Sequence, residues 1–264
     1  MRFIILLSCL LVGTAATADT LRELKSGVDS RGWEAVGRLD IDAAGFCTAA
    51  LITERLILTA AHCIYDENGK QYAPERFTFS AGLRAGRAEA ERSVRRMVAH
   101  PDYRDDSNLP AAQKVPMDIA VLELDRPIRV SRLAPYDIAR LPRRGDEVGV
   151  VSYARHRENV PSLEKVCDVL DSYSGMIVMT CDVDFGASGA PVFKITNGVA
   201  QIASVISAKA EVDGRKVALG TSLDGPLDVL LAHFASLGPA KPGGTQRIIS
   251  LGARNDTGAK FVRP

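Results

Sequence analysis

The chain has 264 residues, 46% of them hydrophobic, with 33 Lys and Arg against 32 Asp and Glu for a net charge of +1. That balance gives no electrostatic case for nucleic acid or a membrane surface as partner. The hydrophobic content is ample for a core, and the length suits one large all-β domain or two small ones.

The first residues read as a leader. Arg2 supplies a positive start, Phe3 to Val12 an apolar run, and Ala16-Thr-Ala18 a small-x-small cleavage site before Asp19. The apolar run is too short to cross a bilayer as a helix. Leu6-Leu-Ser-Cys9 resembles a lipoprotein site, but few apolar residues precede Cys9. An exported protein is expected, periplasmic or secreted, with residues 1–18 removed and 19–32 forming a polar N-terminal extension. Loss of Arg2 leaves acids and bases equal in number.

Of five cysteines, Cys9 leaves with the leader. Cys47, Cys63, Cys167 and Cys181 remain, an even set in an exported chain, and are expected as two disulfides rather than a metal site. Four cysteines allow three pairings. The sequence-local one, Cys47–Cys63 with Cys167–Cys181, closes two short loops worth about 3 kcal/mol each in the chain-entropy model.

Strand signals begin at Val36-Gly-Arg-Leu-Asp-Ile41, which alternates apolar and polar residues. Further short runs follow at Thr48–Ile52, Leu56–Thr59, Phe77–Ala81, Ser93–Ala99 and Ile119–Leu124. A connector with Pro and Arg spans 127–144 and ends in the turn Arg143-Arg-Gly-Asp146. Strands are then expected at Glu147–Tyr153, Lys165–Leu170, Met176–Cys181, Val192–Ile195, Gln201–Ser207 and Val217–Ser222. Two sets of short strands without βα alternation predict two six-stranded antiparallel barrels, over 33–126 and 145–238. Leu227 to Leu237 is apolar at 227, 230, 231, 234 and 237 between Gly-Pro pairs, which predicts an amphipathic C-terminal helix. The tail from 239 to 264 has little apolar content and is expected to be poorly ordered.

Within Asp182-Val-Asp-Phe-Gly-Ala-Ser-Gly-Ala-Pro191, Ser188 lies in a turn rich in glycine. Such a turn presents a hydroxyl outward while neighbouring N–H groups point at the same spot, the geometry that holds an oxyanion beside a nucleophile. A serine needs a base. His156 sits in a charged run, His233 mid-helix and His100 at a turn, whereas His62 ends the apolar strand Leu56-Ile-Leu-Thr-Ala-Ala61 and precedes Cys63. Asp118 abuts the apolar run Ile119–Leu124, and a carboxylate there is costly unless paired.

Gly45-Phe-Cys-Thr-Ala-Ala-Leu-Ile52, Leu56-Ile-Leu-Thr-Ala-Ala-His-Cys63, Asp118-Ile-Ala-Val-Leu122 and Gly186-Ala-Ser-Gly-Ala-Pro191 bring His, Asp and Ser in that order. In these motifs the chain resembles the chymotrypsin/trypsin-like serine proteases, particularly compact bacterial members, from about Trp33 to Leu237. The resemblance implies two barrels with the site in the cleft between them, and Cys47 as partner of Cys63. It implies Ser188 as nucleophile, His62 as general base and then acid, and Asp118 as the acid that orients it. The N–H groups of Gly186 and Ser188 would form the oxyanion hole, and the Ser207 hydroxyl would support the buried aspartate while its backbone lines the substrate cleft. The reaction implied is hydrolysis of polypeptide through an acyl-enzyme.

Two departures stand out. Members activated by clipping carry an aspartate just before the nucleophile; here Ala187 occupies that position, and no Ile-Val-Gly-Gly-like start precedes Trp33. Asp182 lies six residues before Ser188, where relatives place the carboxylate that selects Arg or Lys, yet Lys209 stands two residues after Ser207, where the pocket wall is usually glycine. Asp182 thus reads either as that carboxylate or as a solvated residue after Cys181, and Lys209 as a group that either neutralises it or favours acidic side chains instead. Asp66-Glu-Asn-Gly69 lacks the spacing of a calcium loop, and no zinc spacing or phosphate-cradling glycine loop occurs. No cofactor is expected, and a monomer is.

Overall fold

The structure is a computed structural model that describes residues 21–239 apart from Ser107. The leader at 1–18 and the tail from 240 onward lie outside the described residues.

Strand β1 (Arg22–Glu23) precedes a first set comprising β2 (Val36–Ile41), β3 (Gly45–Leu51), β4 (Leu56–Thr59), β5 (Phe77–Ala81), β6 (Ala90–Ala99) and β7 (Ala120–Leu124). These six close into an antiparallel barrel in the order β2-β3-β4-β7-β6-β5. Alternation along each strand turns every second side chain inward. Leu39 on β2 and Phe79 on β5 face each other in register, and both are fully buried. Between β6 and β7 lies the short helix α1 (Ala111–Lys114) with a single 3-10 turn after it (Val115–Met117).

The second set comprises β8 (Glu147–Ala154), β9 (Arg157–Tyr173), β10 (Met176–Met179), β11 (Pro191–Thr196), β12 (Val199–Val212) and β13 (Arg215–Ser222). They run in the order β9-β10-β13-β12-β11-β8, and β8 pairs back onto β9 to complete the ring. Ser174-Gly175, Asn197-Gly198 and Asp213-Gly214 join successive strands as two-residue hairpins with both residues at positive φ, the backbone twist that matches the twist of paired strands.

Two strands outrun their apolar signal. β9 extends from Arg157, well before Lys165, because its first part pairs with β8 and its last part with β10. β12 continues to Val212 as a polar hairpin with β13. The polar lead also contains structure: β1 pairs with β9 through Arg22↔Leu163 and Glu23↔Ser162, and Leu24 is fully buried.

The barrels share an apolar seam. The Phe193 ring on β11 meets Tyr136 of the connector at 4.7 Å and Trp33 at 5.0 Å, both edge-on. Such edge-to-face aromatic pairs add about 0.5–1.5 kcal/mol beyond area burial. The C-terminal helix α2 (Pro226–Ser236) buries Leu227, Leu230 and Phe234 on one face, and the Arg96 guanidinium lies 3.5 Å from the Phe234 ring centroid. Pro226 occupies its first turn, where a missing N–H is tolerated.

Candidate active site

β4 ends at Thr59, and the chain turns through a 3-10 segment, Ala61–Ile64, that carries His62. A disulfide from Cys63 to Cys47 pins this turn to β3. The second disulfide joins Cys167 to Cys181, so both pairings are the sequence-local ones.

Asp118 follows the 3-10 turn before β7 and is buried. Its Oδ1 accepts the His62 backbone N–H at 2.8 Å, and its Oδ2 lies 2.7 Å from His62 Nδ1. The Ser207 hydroxyl donates to the same Oδ2. Three donors on a buried carboxylate satisfy the need for compensation that burial creates. Burial alone pushes the Asp118 carboxyl up, but the His62 charge, its two hydrogen bonds and that of Ser207 outweigh it and hold the group below its ordinary range. Burial disfavours the charged imidazole of His62, and Asp118 more than offsets this, so its pKa stands above the ordinary value. An ionised acceptor at Nδ1 requires the proton there, which leaves the Nε2 lone pair free. The Thr221 hydroxyl on β13 donates to the Val115 carbonyl, tying the turn before Asp118 to the second barrel.

Ser188 sits in a turn whose amides alternate in use. Ala187 N–H donates to Asp184 C=O at 2.9 Å, and Gly189 N–H to Ile206 C=O at 2.8 Å. The N–H groups of Gly186 and Ser188 have no acceptor among the described residues. The Phe185 carbonyl accepts the Arg155 N–H at 2.7 Å. In a trans peptide the C=O and N–H point opposite ways, so this bond aims the Gly186 N–H away from Arg155. Gly186 and Gly189 have φ of 95° and 79°. A Cβ at Gly186 would meet the Phe46 ring at 2.3 Å, and one at Gly189 the Thr59 hydroxyl at 2.0 Å, so only glycine fits either place.

Thr48, fully buried on β3, holds this turn to the first barrel. Its N–H donates to Ser188 C=O at 2.8 Å, its hydroxyl to Gly186 C=O at 2.9 Å, and the hydroxyl accepts the Tyr153 N–H at 3.0 Å. His62, Gly186 and Ser188 line one open cavity of about 550 Å³ with Phe46 and Tyr72. Among the described residues no hydrogen bond of ordinary length joins the Ser188 hydroxyl to the imidazole.

The remaining expectations fall as follows. Ser207 and Lys209 line a second, smaller cavity beside Ser188. Asp182 is exposed, lies outside that cavity, and donates its N–H to Glu164 Oε2 at 2.7 Å. Lys209 pairs with Asp184 at 2.9 Å rather than with Asp182. Ala187 is buried and brings no charge. His100 caps a turn through Asp102 N–H, His156 sits in a turn at φ 67°, and His233 lies within α2. Asp66 Oδ1 accepts two backbone N–H groups, from Asn68 and Lys70, as in an ordinary Asx turn. Thr48, Arg155 and Asp184 carry structural roles here that sequence patterning did not single out.

Two closed antiparallel barrels with a histidine–aspartate pair and a glycine-flanked serine at their junction are the architecture of chymotrypsin-like serine proteases. The family model described as Trypsin matches residues 26–221. The chain is 33% identical over 91 residues to the Suppressor of tumorigenicity 14 protein homolog of Bos taurus, covering 32% of this chain and 10% of that protein. It is 31% identical over 102 residues to Transmembrane protease serine 11G of Rattus norvegicus, covering 39% of this chain and 22% of that one. The matched segments thus span less than a quarter of either relative. The chain belongs to the trypsin family.

Proposed function

We propose that the chain is a serine endopeptidase that cuts polypeptides through an acyl-enzyme on Ser188. The observation that carries this is the pairing of His62 Nδ1 with Asp118 Oδ2 at 2.7 Å, on the wall of the cavity that also holds Ser188 and Gly186. Nε2 takes the Ser188 proton as Oγ attacks the substrate carbonyl carbon. Asp118 stabilises the resulting imidazolium and keeps the ring oriented. The carbonyl oxygen, now an oxyanion, accepts the Gly186 and Ser188 N–H groups. Collapse breaks the C–N bond, and His62 returns its proton to the leaving amine. A water then attacks the ester, giving its proton to His62, and the acid product leaves as Ser188 is reprotonated. Every bond made or broken is served by groups of this chain and one water.

The oxyanion turn is set without a buried N-terminal ammonium. Ala187 offers no carboxylate to receive one, and the Phe185 carbonyl is already turned to Arg155. Two disulfides favour an oxidising compartment, which accords with the leader expected at 1–18 and with export. Among the described residues no helix is long and apolar enough to cross a membrane.

A fluorophosphonate that esterifies activated serines tests the assignment. Folded protein is expected to be labelled, and Ser188→Ala to lose the label with its fold intact. Folded wild-type protein that stays unlabelled makes this a protease-fold binding protein instead.

A further inference from the structure

We propose that the small cavity beside Ser188 is a primary-specificity pocket neutralised by its own ion pair, and that it accepts an uncharged aliphatic side chain. This rests on the endopeptidase assignment above. The cavity measures about 170 Å³, and Val183, Ile206 and Ala208 contribute apolar wall next to Ser188 and Ser207. A cavity of about 150 Å³ with apolar walls holds benzene, so side chains of Val to Leu size fit this one.

Among the described residues, the charged ones in its lining are Lys209 and Asp184. They bond to each other at 2.9 Å, with side chains 53% and 41% exposed, which puts the pair at the mouth. Phe185, itself 58% exposed, shields the pair: its ring centroid lies 4.4 Å from Lys209 Nζ and 4.4 Å from the Arg155 guanidinium carbon. The Asp184 carboxyl is held below its ordinary range first by the Lys209 hydrogen bond, then by the Phe185 N–H, with the charges of Lys209 and Arg155 adding to this. It therefore stays ionised and paired at neutral pH.

Asp182 lines an adjoining cavity of about 790 Å³ with Arg157 and Lys216, and Val183, Asp184 and Lys209 form the wall common to the two, so Asp182 lies on the far side of the ion pair from Ser188. Within the small cavity a substrate Arg or Lys thus meets no carboxylate but the paired Asp184, and a Glu no cation but the paired Lys209. Either charge would be desolvated without a partner, which disfavours it against an apolar side chain.

The pair makes the inference sharply testable, because each partner masks the other. A solvated ion pair contributes little to stability, so removing one member leaves a folded protein with one bare charge at the mouth. Peptides differing only at the residue before the cut are assayed with wild type, Lys209→Ala and Asp184→Asn, each first titrated with the fluorophosphonate. Wild type is expected to favour Val or Leu over Arg, Lys and Glu by about tenfold or more in kcat/KM, the scale of a single mismatched group in such a pocket. Lys209→Ala is expected to raise cleavage after Arg and Lys relative to Leu, and Asp184→Asn to raise cleavage after Glu. Labelled wild type that prefers a charged residue, or that cuts no aliphatic peptide, overturns the inference. So do labelled variants that leave the preference unmoved or shift it in the same direction. Failure of wild type to label sinks the endopeptidase assignment itself, a separate result.

Discussion

Thr48 N–H donates to the carbonyl of Ser188 at 2.8 Å, across the junction of the two barrels. Thr48 follows Cys47, whose disulfide partner Cys63 follows His62. One strand of the first barrel therefore fixes the serine turn by hydrogen bonds and the histidine turn by a covalent link. The spacing of Ser188 and His62 is set by β3 rather than by either turn alone.

Replacing Thr48 with Val keeps the β-branched shape and the backbone N–H but removes the hydroxyl. The Tyr153 N–H then loses its acceptor in a buried setting, a loss of about 1–3 kcal/mol, and the Gly186 carbonyl is released. Denaturant unfolding is expected to show that loss. The kcat for a good peptide should fall by at least about tenfold with KM little changed, since the released carbonyl belongs to the oxyanion turn. Unchanged kcat would mean that Thr48 stabilises the junction without positioning the turn.

The acid side of the pH profile reports His62. Burial opposes its charge, but Asp118, with a smaller contribution from Asp105, outweighs burial and the opposing Lys114, so its pKa lies above the ordinary value. In the proposed mechanism the neutral ring is the base, so kcat/KM should fall as pH drops through a midpoint above about 6.5. Asp118→Asn removes the main raising cause while burial remains. Its acid limb should move to lower pH, with the rate at neutral pH down by about 10³–10⁴-fold. A wild-type midpoint clearly below about 6 would contradict this account.

The disulfides should separate stability from activity. Their sequence separations are 16 and 14 residues, so opening either loop costs a similar amount, about 3 kcal/mol. Paired Cys→Ala replacements at Cys47 and Cys63 should in addition depress kcat in the fraction still folded, because that link holds the His62 turn. Replacements at Cys167 and Cys181 should lower the unfolding midpoint with a smaller effect on kcat.

Shortening the N-terminus tests whether the oxyanion turn needs a trigger. Protein made to begin at Asp19 should label with the fluorophosphonate as made. Truncation past Leu24 removes β1 and a fully buried side chain, so stability should fall by about 2–5 kcal/mol while activity rises for no particular new end. One specific end that switches labelling on from a silent longer form would refute the idea.

Much of this was legible in the chain. The ends of β2, β4 and β5 coincide with short apolar or alternating runs, because most side chains of these strands are buried. His62 and Asp118, which the structure joins, stood out as polar groups against apolar strands. β1 was hidden: two residues in a polar lead have no periodicity of their own, and β9 supplies the reason they extend. The polar reaches of β9 and β12 were hidden for a similar reason, since hairpin pairing needs no apolar face. The contacts that shape the serine turn run through main-chain carbonyls of Phe185, Gly186 and Ser188. A carbonyl's direction leaves no mark on side-chain pattern. The Lys209–Asp184 pair leaves no mark in the sequence, because Asp184 stands inside the turn motif 25 residues before Lys209 and only the fold of β12 brings the two together.

The bonds from Thr48 to Tyr153, Gly186 and Ser188 stitch the floor of the cleft shut. These bonds resist parting of the two halves beside Ser188, so on the endopeptidase proposal more of the adaptation falls to the substrate. On that proposal a loop, a terminus or an unfolded chain is expected to be cut faster than the same segment held inside a compact fold.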